Sequence, residues 1–149
     1  MVNVRVYEIP ACKMVSSQCG NFGDGKLEKF DECFSKMPKT LYPQDFLWYD
    51  EKRGGFVWYI IHDDRMDVPN DFEIVDFPGG LYAVATGIDG QDNAPVLSLI
   101  EAFIEKSGCF EEDKSRKKMG HIVTPQLFKE AVGYELMDYW TPIKIRSTK

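Results

Sequence analysis

Three stretches of the chain hold residue types at spacings that chemistry could use. In GNFGDGKL, from Gly20 to Leu27, the glycines and Lys26 reproduce most of a phosphate loop. In such a loop backbone N–H groups cradle phosphate and the lysine reaches its outer oxygens. Leu27, however, stands where Ser or Thr should hold magnesium, and Asp24 puts a carboxylate where phosphate oxygens would sit. A structural loop is therefore expected. His62-Asp63-Asp64 offers metal-ligand types, but it follows a strand pattern and reads as a solvated polar turn. No metal and no cofactor is expected. The third stretch is GYELMDYW, residues 133–140, in which Glu135 interrupts an apolar and aromatic run. Read as a strand, it puts Glu135 on one face with Met137 and Tyr139, and Tyr134, Leu136, Asp138 and Trp140 on the other. A carboxylate on such a face has to be solvated, paired or used, because burial without a partner disfavours the charge. An exposed sheet glutamate and a cation-binding carboxylate both meet that condition. No nucleophile–base pair stands out: the chain has no G-x-S-x-G and no Cys joined by motif to a His.

The elements that must position these residues occur twice. Val2, Val4 and Val6 alternate with polar neighbours, the period of a half-buried strand, and Pro10 interrupts it before a second extended run from Lys13 to Gln18. FEIVDFPGGLYAVATG, residues 72–87, repeats the device, with Pro78 lying 68 residues beyond Pro10. A helix follows each copy. Leu27, Phe30, Phe34 and Met37 make one apolar stripe, with Asp24 to cap it. Val96, Leu99, Ile100 and Phe103 make the other, with Asn93 as cap, Pro95 in the first turn and Gly108 as stop. GNFGDGKL then corresponds to GIDGQDNAPV, residues 87–96: both are connections from strand to helix.

Each copy ends in strands. Phe46 to Asp50 and Gly55 to Ile61 flank a hairpin turn, and Gly133 to Lys144 reads as one long strand after an insertion from Phe110 to Val132. Within the insertion EEDKSRKK reads as a solvated charged loop, and Thr124-Pro125-Gln126 opens a short helix. The fold class is α+β: a duplicated β-α-β-β repeat with pseudo-two-fold symmetry, an antiparallel sheet with two main helices on one face. Residues 1–149 are expected to form a single domain with pseudo-repeats 1–66 and 70–149.

With 149 residues, 44% of them hydrophobic, the chain suffices for one compact core. Its net charge of -6 disfavours direct nucleic-acid binding and anionic membranes and favours a cationic partner. There is no run long enough to span a bilayer and no signal-like N-terminus, and the four cysteines include no C-x-x-C pair. A cytoplasmic location with reduced thiols is expected.

FEIVDFPGGLYAVATG and YELMDYWTPIK together resemble the GyrI-like effector-binding domains, which also form the ligand-sensing part of AraC-type and MerR-type multidrug-responsive regulators. The resemblance covers nearly the whole chain. It implies a cleft for aromatic and cationic small molecules, with a buried glutamate on the late strand, and Glu135 falls on that position. Cleft aromatics would supply flat faces and cation–π attraction of about 0.5–2 kcal/mol each. Trp58 and Tyr59, on the first-half strand that corresponds to the Glu135 strand, are the expected ligand contacts together with Tyr139, and Tyr82 and Trp140 follow. No helix-turn-helix accompanies the domain, so a small-molecule binding protein standing alone is expected rather than a direct regulator. Two other functions stay open: a hydrolase acting on a reactive small molecule in the same cleft, and a protein-interaction module of the gyrase-inhibitor kind.

Overall fold

The computed structural model describes residues 3–35 and 43–147, so Val2 and Met37, assigned above to a strand and a helix stripe, lie outside the described residues. The chain forms two compact units. One joins the residues up to Pro10 to those from Gly79 onward, and the other runs from Ala11 to Pro78. Both prolines that interrupt a strand pattern therefore mark places where the chain leaves one unit for the other. The ladder hydrogen bond that a proline cannot donate is not needed there.

In the first unit β1 (Arg5–Ile9), β6 (Gly80–Ile88), β9 (Leu136–Ile145) and β8 (Met119–Ile122) form an antiparallel sheet in that order, and β7 (Phe110–Glu112) pairs with the far end of β9. In the second the order is β3 (Asp45–Asp50), β4 (Gly55–Ile61), β2 (Cys12–Ser16) and β5 (Glu73–Phe77). The duplication is visible in the register. Arg5 lies opposite Val84 and Ile9 opposite Gly80. Glu73 lies opposite Ser16 and Phe77 opposite Cys12. Shifting each residue of the first set by 68 positions, forward on one strand and back on the other, gives the second set. Each unit thus takes its outer strand from the other half of the sequence.

Each sheet carries a helix. α1 (Lys26–Phe34) buries Leu27, Phe30 and Phe34, and Phe30 and Phe34 pack with Val15, Ile60 and Phe72. α2 (Ala94–Ser107) buries Ile100 and Ile104 against Ala83, Ala85 and Ile143. The second stripe is rotated from the sequence expectation: Leu99 is 42% exposed and Ile104 takes its place in the core. The caps differ as well. Asn93 makes no side-chain cap; the Ala94 N–H donates to Asp92 (3.0 Å). Asp24 does the same for the Lys26 N–H (2.9 Å), 68 residues earlier, so the repeat holds at the caps too. Gly108 ends α2 in the left-handed region, as expected. The hairpin between β3 and β4 and the short helix α3 (Gln126–Val132) also form as expected.

Candidate functional site

The glycine-rich loop spends most of its amides on its own carboxylates and on backbone carbonyls rather than on a phosphate. The Asp24 carboxylate accepts from the Asn21 and Lys26 N–H groups (2.7 and 2.9 Å), and Glu28 accepts from Gly23 and Gly25 (3.0 and 2.9 Å). These backbone donors hold both carboxyls below their usual range. Lys26 is turned onto the Cys19 carbonyl (3.0 Å). The loop closes on itself. At the second stretch the His62 N–H donates to the Lys13 carbonyl (2.9 Å) and Asp63 pairs with Arg65 (2.7 Å), as in a solvated turn. Among the described residues no three His, Cys, Asp or Glu side chains converge as a metal site.

The third stretch departs from its reading in one decisive way. Gly133 caps α3, and β9 begins only at Leu136, so Glu135 precedes the strand. It is half-buried, and its carbonyl accepts the Asp89 N–H (2.9 Å). Among the described residues its carboxylate has no hydrogen-bond or ion-pair partner. The buried acid of this strand is Asp138, 6% exposed.

Parity decides which side chains can meet. Residues opposite one another in an antiparallel ladder share a face. Ala83, Ala85, Ile143 and Tyr139 pack toward α2, so Tyr82, Val84, Thr86, Asp138 and Trp140 line the face of that sheet turned away from the helix. In the other unit Trp58 packs with Phe30 of α1 (5.5 Å), while Tyr59 points to the opposite face, 5.9 Å from Trp48 and 6.3 Å from Phe77. Tyr82 stands opposite Pro142 and Met14 opposite Ile61, so Trp140 matches Tyr59, Tyr139 matches Trp58, and Asp138 matches Val57. The expected set therefore splits. Trp58 and Tyr139 belong to the helix-facing cores, and Tyr59, Tyr82 and Trp140 to the faces turned away from the helices, where Tyr82 and Trp140 are themselves buried, 1% and 2% exposed. Burial pushes the hydroxyl of Tyr59 up, offset in part by a hydrogen bond with Trp48, and burial with the Asp89 charge does the same to Tyr139.

On the face of the first sheet turned away from α2 the groups form one connected cluster. Trp140 lies 5.3 Å from Tyr7 and 5.6 Å from Tyr82, ring to ring. Thr86 donates its hydroxyl to Asp138 (2.5 Å), and Arg5 donates to both, Nη2 to Asp138 (2.9 Å) and Nη1 to Thr86 (3.0 Å). His121 stands opposite Asp138 on β8. Arg116 lies over the Tyr82 ring at 4.8 Å and donates through Nη2 to the Leu81 and Ile143 carbonyls (3.1 and 2.7 Å), while Asp113 accepts from its Nε (3.0 Å). The charged insertion is thus no solvated loop at this point: Arg116 is 9% exposed, because its fork of donors satisfies two strand carbonyls and a carboxylate at once. Gly80 makes the space. A Cβ there would lie 2.5 Å from Nη1, and its φ of 130° suits glycine alone.

Nothing in the sequence marked Arg5 or Arg116. Arg5 was legible only as one of the polar residues alternating with Val4 and Val6, and its partner lies 133 positions away. In the second unit an open groove lined by Ala11, Cys12, Lys13, Asp76, Phe77 and Pro78 holds none of the expected site residues. Its polar groups are the exposed Lys13–Asp76 pair and a thiol that burial pushes up, which makes it a poor nucleophile.

Neither a protein-family model nor a curated protein sequence matches the chain. Solved structures do. The crystal structure of the EcmrR C-terminal domain matches with a TM-score of 0.64 at 11% identity, over 97% of this chain and 98% of that one. EcmrR in a cryo-EM complex with DNA matches at 0.68 and 10% identity, over 96% of this chain; the chain spans only 57% of EcmrR there. SAV2435 bound to tetraphenylphosphonium matches at 0.53 and 13%, over 95% and 94%, and a hydrolase from Listeria innocua at 0.57 and 12%, over 95% and 91%. The α+β architecture of antiparallel strands and helices, shared with these proteins across nearly the whole chain, is the fold of the GyrI-like effector-binding domains.

Proposed function

We propose that this protein binds a small aromatic or cationic amphipathic molecule at the Asp138 cluster, on the face of its first unit's sheet turned away from α2. One observation carries the reading: a buried carboxylate, Asp138, is held among Tyr7, Tyr82 and Trp140 on a sheet face that no helix of that unit covers. Aromatic walls bind a flat ligand by area and stacking, and a fixed acid orients its charge. SAV2435, which shares the fold, is bound to tetraphenylphosphonium, and the net charge of -6 favours the same sign of ligand. Tyr82 and Trp140 are the proposed stacking residues and Asp138 the proposed acid. Tyr59 is a candidate on the second unit, whereas Trp58 and Tyr139 act through packing. Glu135, at the mouth of β9, contributes charge without contact. Four free cysteines fit the proposed reducing, cytoplasmic setting, and among the described residues no helix is long and apolar enough to cross a membrane.

A thermal-shift series with tetraphenylphosphonium tests this. Ligand at a hundred times its dissociation constant adds about 2.7 kcal/mol of stability. Asp138→Asn should remove most of the shift and Glu135→Gln should change affinity by less than about twofold. A flat melting temperature across cationic and neutral aromatic probes would refute the reading.

The hydrolase alternative has one observation behind it, the short hydroxyl–carboxylate hydrogen bond from Thr86 to Asp138. Arg5 and Thr86 already engage both oxygens of that carboxylate, so binding is favoured over proton abstraction. Product accumulating beyond one equivalent per protein from a reactive ester would reverse that order.

A further inference from the structure

We propose that Arg5 is an internal counter-cation that a cationic ligand displaces from Asp138, so that this residue of β1 sets the charge selectivity of the site. The inference rests on the binding role proposed above for this face.

The guanidinium of Arg5 makes the contacts a ligand's cationic group would seek. It is 2.9 Å from the Asp138 carboxylate, whose side chain is only 8% exposed, and its carbon lies 5.6 Å from the centre of the Tyr7 ring. Asp138 therefore carries no free charge in the ligand-free protein. A cation that binds the Asp138 carboxylate has to take over this ion pair, and the energy it recovers is the difference between its own contacts and those of Arg5. A neutral aromatic ligand of the same shape gains nothing from the exchange.

Arg5 is placed to leave. Its side chain is 33% exposed, and β1 has a neighbour strand on one side only within its sheet, so the guanidinium can turn to water while Asp138 stays fixed by Thr86. Arg116 is not displaceable in this way. It is 9% exposed, tied to two backbone carbonyls and to Asp113, and its stacking on Tyr82 leaves the second cation of the face in place. The two arginines therefore divide the work: one holds the floor of the site and the other competes with the ligand.

Isothermal titration of the full chain with N-methylquinolinium and with quinoline, a matched cationic and neutral pair at neutral pH, tests the exchange. Arg5→Gln should tighten N-methylquinolinium by about tenfold or more and leave quinoline within about twofold. Arg5→Lys keeps a competing charge and should stay near the wild type. Asp138→Asn should abolish the preference between the two probes. Equal or weaker cation binding in Arg5→Gln overturns the proposal, as does a parallel gain for both probes, which would mean that removing the side chain simply opened the site. If Arg5→Gln fails to fold, Arg5→Lys and Asp138→Asn still decide, since the proposal requires the first to behave as wild type and the second to lose only the cation. If neither probe binds any variant, the reading of this face as a ligand site falls, a result distinct from binding without charge exchange.

Discussion

At matching places in their ladders, β1 carries Arg5 and β5 carries Glu73. The backbone register around the two is the same, yet the surroundings have opposite needs. Opposite Thr86 on β9 stands Asp138, a buried carboxylate that requires a cation or several donors. Its counterpart on β4 is Val57, which requires nothing, and Glu73 stays exposed in water. Trp140 and Tyr59 keep the aromatic character of the face in both copies. Duplication has thus preserved shape and aromatic walls in both units, and fitted only one with a charged cluster. On the binding role proposed above, discrimination by charge falls to the first unit alone.

The comparison can be broken most severely at the exchanged strands. Residues 1–66 lack β5 and residues 70–149 lack β1, so each fragment leaves the unpaired edge of β2 or β6 exposed. Residues 11–78 contain every strand and the helix of their unit. The fragment 11–78 should melt cooperatively and at higher temperature than 1–66, and 70–149 alone should show no cooperative transition by circular dichroism. A stable, cooperative 1–66 would mean that the edge strand adds little and that the sequence repeat itself is the folding unit.

A smaller effect separates the two helix-facing cores. Phe30 is 1% exposed and its ring meets Phe34, Trp58 and Phe72 at 4.8, 5.5 and 5.2 Å. The core under α2 is aliphatic around Ile100, against Ala83 and Ala85. Phe30→Ala should cost about 3–5 kcal/mol in denaturant unfolding, and Ile100→Val about 0.5–1.5 kcal/mol. Equal losses would show that the aromatic cluster of the second unit collapses around the cavity.

The duplicated frame was legible because hydrophobic period and proline position are local signals, and both recur at one offset. Applied strictly, that offset would also have named Asp92 rather than Asn93 as the cap, since Asp24 and Asp92 are the matched pair. The site was legible only in part. Parity alone does not say which face a helix will cover, so the expected set mixes Trp58 and Tyr139, on the helix-facing sides, with Tyr59, Tyr82 and Trp140 on the opposite ones. Glu135 drew attention because an acid in an apolar run is conspicuous. Asp138 sits in the same run and gives no such signal, because its partners Arg5 and Thr86 are 133 and 52 positions distant and no local pattern joins them. Arg116 was hidden in the same way: a run of charges looks solvated until the carbonyls it grips are in view.

The smallest expected effect concerns the tie that holds Arg116 over Tyr82. Hydrogen bonds from Ser115, then from Arg116, hold the Asp113 carboxyl down at about 2, below the ordinary 3.8. A folded-state value below the unfolded one stabilises the fold above the unfolded value, and that stability is lost as the pH falls through about 4 toward about 2. The exposed Lys13–Asp76 pair of the second unit has a lowered carboxyl too, but both side chains are in water, where such pairs contribute little and are screened by salt. Asp113→Asn should therefore lower the melting temperature at pH 7 by a few degrees, and the gap to wild type should close between pH 4 and pH 2, while Asp76→Asn shifts it by less than the error at either pH. A gap that persists at pH 2 would mean that Asp113 acts through its turn geometry, with the Arg116 ion pair adding nothing. A gap in Asp76→Asn as large as that in Asp113→Asn would remove the distinction between a tie fixed on buried strand carbonyls and one lying in solvent.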